Sequence, residues 1–210
     1  MTLWYRAGVA ALAFSLLCGV LVQAAKRDWL PPDISISQYG VGPHGWLFTL
    51  WTLSTAAVLV CFMRYRPVNR VGVVFQWLAV SGALVAALVR TDPSGLQQSW
   101  NSRVHTAGSV VLLAFLPFGV TIALWAGRRL WWIVSCALTA VGAVFMTLVL
   151  VSAAGVETAG IGPQASWALW QTAGVLTEMV ILVVYAIGVR TVPAPSAVGP
   201  PGYRRGAAVG

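Results

Sequence analysis

The sequence predicts an all-α fold, a polytopic bundle of six transmembrane helices that forms one domain. Of the 210 residues, 59% are hydrophobic and only 9% are charged, whereas soluble domains carry about a quarter charged residues. Apolar segments of about 20 residues recur along the chain, the length that a helix needs to cross ~30 Å of hydrocarbon. The formal charge of +8 lies in short connections and at the chain ends. Basic residues at these places orient membrane helices. Because the sequence has no continuous basic face, we expect no nucleic-acid binding.

The first predicted span, about Ala7 to Ala24, follows Arg6 and ends in a sequence that could pass for a signal-peptide cleavage site. We expect it to be retained as a span. The other five spans are about Trp46 to Met63, Val71 to Val89, Thr106 to Gly127, Leu130 to Ala153 and Trp167 to Val189.

The connections refine this bundle. Arg128 and Arg129 follow Gly127 in a very short turn, which predicts an antiparallel hairpin of the fourth and fifth helices. Pro117 should kink the fourth helix, because its ring removes a backbone hydrogen bond. Residues 1–190 would form the transmembrane domain. Residues 191–210 are rich in proline and glycine, and we expect a disordered cytoplasmic tail.

The connections also alternate in charge. One side carries nine arginines and no acid, namely Arg6, Arg64, Arg66, Arg70, Arg128, Arg129, Arg190, Arg204 and Arg205. The opposite side carries Lys26, Arg27, Arg90 and Arg103 together with Asp28, Asp33, Asp92 and Glu157. Because basic residues accumulate on the cytoplasmic side, both termini should be cytoplasmic. One lysine against twelve arginines, with abundant alanine, valine and glycine, indicates a high-GC bacterial genome, so we expect a bacterial plasma membrane.

Glu178 is the one acidic residue deep inside an apolar segment. An ionisable group at that depth is costly, so it should be neutral, paired or facing a cavity. Gln171 and Gly174 precede it at four- and three-residue spacing and share its helical face, which should turn toward other helices. Two interpretations stay open: Glu178 handles a substrate or a proton, or it is a neutral acid that holds helices together.

A second polar cluster is predicted where the third span ends and the fourth begins. Arg90 and Asp92 close the third helix, and His105 opens the fourth. Because these helices are antiparallel neighbours, Asp92 and His105 could come within hydrogen-bonding distance and form an acid–base unit. The alternative is that the cluster only fastens the loop, with Arg90 and Asp92 as an ion pair.

The remaining candidates lie at the outer edge. His44 caps the second helix beside Trp46, which falls in an aromatic interfacial belt. With two histidines at the edge and three cysteines without a motif, we expect no metal site, no haem and no disulfide. The candidate catalytic residues are Glu178, Asp92 and His105, and the candidate ligand contacts are Gln171, Trp170, Gly174, Arg90, His44 and Trp46.

The motifs Ser35 to Phe48, Arg90 to Pro93, His105 and Gly174 to Glu178 resemble the bacterial six-span family catalogued as domain of unknown function 998. A looser likeness extends to six-span proteins of the damage-regulated autophagy modulator type. The resemblance covers about Ala7 to Arg190 and implies the six-helix fold and the outer-side cluster. That family often has an arginine after the acidic or amide position of the last helix. Here the place is Met179, so Glu178 would lack that counter-ion.

Three functional hypotheses follow. The first is a binding or transport-type protein with a pocket for an apolar or lipid-like molecule, open to the outer leaflet and lined by Asp92, His105, Gln171 and Glu178. The second is an intramembrane enzyme, cyclase- or isomerase-like, in which Glu178 protonates an apolar substrate such as a polyprenoid while Trp170 and other aromatic faces stabilise positive charge. The third is an accessory or structural membrane subunit. None of the three requires a cofactor.

Overall fold

The six predicted spans are six α-helices in the structure, a computed structural model that describes residues 2–27, 34–66, 70–93, 99–158, 160 and 162–193. All six are long and apolar enough to cross a membrane, so the chain is a multi-pass membrane protein. Most of the predicted tail, residues 194–210, and the predicted outer-side acids Asp28 and Asp33 lie outside the described residues. The helices are α1 (Leu3–Lys26), α2 (Gly45–Tyr65), α3 (Arg70–Leu88), α4 (Trp100–Leu124), α5 (Arg129–Ala153) and α6 (Pro163–Gly188), and α6 continues into a 3₁₀ turn, Val189–Thr191.

Three helices begin at least four residues earlier than the hydrophobic pattern predicts, namely α1 at Leu3, α4 at Trp100 and α6 at Pro163. The hydroxyl oxygen of Ser99 accepts a hydrogen bond from the backbone N–H of Ser102 at 3.1 Å, so α4 begins at Trp100. Pro163 stands in the first turn of α6, where no N–H is needed. His105 therefore lies inside α4 rather than at its start, and Glu178 lies about 22 Å along α6 at 1.5 Å per residue.

Consecutive helices pack as antiparallel neighbours, and the pairs α1–α2, α3–α4 and α5–α6 make the most extensive contacts. The predicted α4–α5 hairpin is also formed, with the Thr121 hydroxyl 2.7 Å from that of Ser135 and 2.8 Å from that of Thr139. The Tyr5 hydroxyl of α1 donates to the carbonyl of Ala186 in α6 at 3.2 Å. The start of α1 and the end of α6 thus lie at one end of the bundle, here called the terminal end, and the opposite end is the loop end.

The α3–α4 pair owes its close approach to glycine. A Cβ atom added to Gly82 would lie 2.6 Å from the carbonyl oxygen of Gly108 and 2.6 Å from the backbone nitrogen of Leu112. Small residues that let two backbones approach in this way are typical of helix contacts in membranes.

One group of polar residues in the buried centre is joined by hydrogen bonds. Gln76 of α3 is fully buried and donates through Nε2 to the carbonyl of Gly119 at 3.1 Å and to the hydroxyl of Tyr185 at 3.0 Å. This network connects α3, α4 and α6. In the hydrocarbon region, water does not offer these groups alternative hydrogen bonds.

At the loop end, residues 34–44 of the connection between α1 and α2 pack over the bundle. A 3₁₀ turn, Ile36–Gly40, starts with a capping box in which the Gln38 side chain accepts from the Ser35 backbone N–H at 2.9 Å. Ile36 and Tyr39 are buried. The Gln38 amide also donates to the carbonyl of Pro93 at 3.1 Å, which ties this turn to the α3–α4 connection.

Candidate functional site

Glu178 lies near the middle of α6 and points into the bundle. Its side chain is 4% exposed, whereas Leu176 and Val180 on the same helix are each 50% exposed. The predicted inward orientation is therefore confirmed. Ionisable residues at this depth that face the bundle interior are rare in membrane helices and commonly mark a functional site.

The carboxyl group of Glu178 has no polar partner. Within the described part of the chain it makes no hydrogen bond and no ion pair. A neutral acid that held helices together would donate to a neighbouring hydroxyl or carbonyl, and that contact is not formed. An unsatisfied buried polar group costs about 1–3 kcal/mol, so this arrangement calls for an explanation.

Three spaces adjoin this part of α6. The inner cavity, of about 50 Å³, has walls that include Ser37, Phe48, Trp51, Leu113, Gln171 and Glu178. A smaller space of about 10 Å³ on the α5 side, here the α5-side cavity, is bordered by Leu113, Gly142, Trp170, Gln171, Gly174 and Glu178. The third space, the α1–α6 groove, measures about 290 Å³ and is lined by Leu16, Gly19, Val20, Trp51, Leu176 and Met179, with Gln23 and Thr172.

The α1–α6 groove opens to the outside of the bundle, because Leu16, Val20 and Leu176 in its walls are exposed. Trp51 and Met179 border both this groove and the inner cavity. These two side chains therefore form the partition between the lipid-facing groove and the space beside Glu178. Met179 stands at the place where related sequences were expected to carry arginine.

Gln171 is the second polar residue of the inner cavity. Its Nε2 donates to the hydroxyl oxygen of Ser37 in the 3₁₀ turn at 3.1 Å, which couples α6 to the loop end. Its Oε1 is buried and has no hydrogen-bond partner. The indole N–H of Trp51 and the hydroxyl of Thr172 are likewise buried without partners. Several unsatisfied polar groups therefore lie around these adjoining spaces.

The predicted acid–base unit of Asp92 and His105 is not formed. The Asp92 carboxylate accepts from the Ser99 backbone N–H at 2.8 Å and from the Ser99 hydroxyl at 2.6 Å, which stabilises the start of α4. His105 Nδ1 lies 2.7 Å from the carbonyl oxygen of Val89, and its Nε2 has no partner. Because α4 begins five residues before His105, the imidazole faces the last turn of α3 instead of the loop. Neither residue borders the inner cavity as described, which corrects the expected lining.

The other predicted ligand contacts divide into two groups. Trp170 and Gly174 border the α5-side cavity. The Trp170 N–H donates to the Thr158 hydroxyl at 2.7 Å, and its ring stacks on that of Phe145. The second group, Arg90, His44 and Trp46, is exposed at the loop end and borders none of the three spaces.

Several residues of the site were not predicted, among them Ser37, Trp51, Thr172 and Met179. Ser37 belongs to a capping sequence, Ser35 to Gln38, that could have revealed the turn. Trp51 owes its position to contact with Gly19, whose added Cβ would lie 3.0 Å from the indole ring. No spacing along one sequence reveals a contact between two helices of this kind.

The three cysteines are free thiols, and no group of three His, Cys, Asp or Glu side chains comes together in the described ranges. The sequence model of one protein family, described as "Protein of unknown function (DUF998)", matches residues 9–188. No curated protein and no solved structure matches the chain.

Proposed function

The chain belongs to the DUF998 family, and we propose that this membrane protein binds an amphiphilic, lipid-like molecule whose polar end reaches Glu178. The observation that carries the proposal is the Glu178 carboxyl group, which is buried at mid-helix, faces a cavity and has no partner among the described residues. A bound polar group would satisfy it.

The sizes of the spaces support an amphiphile rather than a compact ligand. The inner cavity, at about 50 Å³, holds a few atoms or water molecules, whereas pockets for whole small molecules measure about 300–1,000 Å³. The α1–α6 groove, at about 290 Å³, is apolar and accepts part of a hydrocarbon chain. A polar end in the cavity and a chain in the groove would meet at Trp51 and Met179.

The same geometry favours binding over catalysis. An intramembrane acid–base enzyme also needs a base that removes a proton from the substrate, and the two candidates for that role, Asp92 and His105, are not among the described residues that line the inner cavity. A purely structural role is less well supported too, because the helix contacts are made by other polar groups such as Gln76 and Thr121.

We further propose that both termini face the cytoplasm and that the protein resides in a bacterial plasma membrane. The arginines of the terminal end, among them Arg6, Arg64, Arg128 and Arg190, support this orientation. The groove, which lies toward the loop end of α1 and α6, would then open to the outer leaflet.

The test replaces one lipid-facing residue of α6 at a time by tryptophan. Leu176 borders the α1–α6 groove and Val180 does not, yet each is 50% exposed. We expect the wild type and Val180→Trp to copurify with an amphiphile, measured by mass spectrometry of extracted lipids. Leu176→Trp should retain at least tenfold less, because its ring fills the groove.

Two results would contradict the proposal. One is a wild-type protein that carries no amphiphile beyond the detergent. The other is an equal amount of the same lipid on all three proteins, since this would identify it as general boundary lipid.

A further inference from the structure

The unpaired polar atoms around the inner cavity define the chemistry of the group that fits there, and we infer that it is an amine. The ligand would be an amphiphile with a single amino headgroup and no phosphate. This inference rests on the proposed binding function and adds to it the class of ligand.

Beside the unpaired indole N–H of Trp51, which is a donor, the described wall of the cavity carries several unpaired hydrogen-bond acceptors. Gln171 Oε1 receives no hydrogen bond within the described residues, and the amide nitrogen of the same side chain donates to the Ser37 hydroxyl oxygen. The Glu178 carboxyl group is unpaired as well. Pro117 has no N–H, so the carbonyl of Leu113, a residue of the same wall, receives no bond from the residue four positions later. A ligand group with several N–H donors satisfies this set.

The hydroxyl donors of the α2 wall are already used within their own helix. Thr52 donates to the carbonyl of Phe48 at 2.9 Å, and Thr55 donates to the carbonyl of Trp51 at 3.0 Å. Thr55 also meets Ser15 of α1 at 3.0 Å. A ligand that offered only acceptors, such as a phosphate, could bond to the Trp51 N–H but would leave the acceptors of Glu178, Gln171 and Leu113 unpaired.

Charge favours the same ligand. Among the described wall residues of the three spaces there is no lysine, arginine or histidine, so an anionic headgroup would be buried without a counter-ion, at a cost of several kcal/mol. An amine beside Glu178 forms a pair with no net charge, whichever of the two holds the proton. The rings of Phe48 and Trp51, 6.4 Å apart and perpendicular, supply aromatic surface that attracts a cation.

The experiment compares three probes with the same saturated sixteen-carbon chain: hexadecylamine, hexadecanol and hexadecyl phosphate. Each is added to the full-length protein in an uncharged detergent, and the melting temperature is measured. We expect the amine to raise the melting temperature of the wild type by several degrees, clearly more than the alcohol or the phosphate. Glu178→Gln should lose most of the amine-induced rise, whereas Glu157→Gln, which removes an exposed carboxylate outside the three spaces, should keep it.

A second variant guards against poor folding of Glu178→Gln. Gln171→Met removes another unpaired side-chain acceptor, Gln171 Oε1, and should reduce the amine-induced rise to a smaller extent. If the alcohol or the phosphate stabilises the wild type as much as the amine does, the amine assignment is wrong while the binding function stands. The assignment also fails if the amine-induced rise survives Glu178→Gln. If none of the three probes stabilises the wild type, both the assignment and the proposed function are overturned.

Discussion

Two buried polar side chains, Glu178 and Gln76, illustrate how differently one kind of residue is used in this bundle. Gln76 is fully buried and bonds to Gly119 and Tyr185. Glu178 is almost as deeply buried and, within the described chain, bonds to nothing. Sequence alone predicts that each faces inward, since neither can face lipid cheaply. It does not reveal which of the two has a partner, because that depends on helices distant in sequence.

The pair gives a direct test by substitution with leucine. We expect Glu178→Leu to raise the free energy of unfolding by about 1–3 kcal/mol, because an unsatisfied polar group is removed from an apolar site. Gln76→Leu should lower it by a similar amount, because Tyr185 and Gly119 lose their partner. Thermal unfolding in detergent measures both. A loss of stability in Glu178→Leu as large as that in Gln76→Leu would mean that Glu178 is a packing residue after all.

At the level of the helices, the six spans follow from hydrophobicity and length, and charge alternation agrees with their order. Hydrophobicity does not predict where α4 and α6 begin, because Ser99 and Pro163 extend these helices into polar sequence that the apolar pattern excludes. That shift explains why the Asp92–His105 hydrogen bond was expected and is not formed. Gln171 and Glu178 were correctly placed on one face by their spacing, whereas Trp51 and Met179 became site residues only through the packing of α1, α2 and α6.

The α3–α4 contact provides a second test. Gly82→Ala should destabilise the bundle by about 1–3 kcal/mol, because the new methyl group meets backbone atoms of α4 at 2.6 Å. Gly174→Ala is the matched control: its nearest neighbour would be Phe145 Cβ at 3.7 Å, which is ordinary contact, and both changes favour the helix equally. Melting temperatures of the two variants should therefore move in opposite directions or differ by several degrees. Equal values would show that α3 and α4 can separate at little cost.

For the whole molecule, the arginines of the terminal end lie beside aromatic rings. Arg64 lies over Trp4, and Arg190 over Tyr5, with the guanidinium carbon 5.8 and 5.7 Å from the ring centroids. Such side chains extend along apolar surface and keep their charge at the membrane boundary. This arrangement agrees with the proposed cytoplasmic location of the terminal end.

The orientation can be measured with two matched substitutions at the ends of α5. Ala126 and Ala154 are both exposed, the first at the terminal end and the second at the loop end. A thiol reagent that cannot cross membranes should label Ala154→Cys in intact cells and label Ala126→Cys only after lysis. The wild type is the blank, because Cys18, Cys61 and Cys136 lie within helices. Labelling in the reverse order would place the termini outside.

The hydrogen bond between Tyr5 and Ala186 joins the first and last helices at the terminal end, and the bond from Gln171 to Ser37 ties α6 to the turn at the loop end. The groove lies between these two attachments, and α1 packs most extensively on α2. Trp51 belongs to α2 and Met179 to α6. Parting these two side chains would join the lipid-facing gap to the chamber at Glu178, so that admission from the bilayer and access to the acid would occur as one movement.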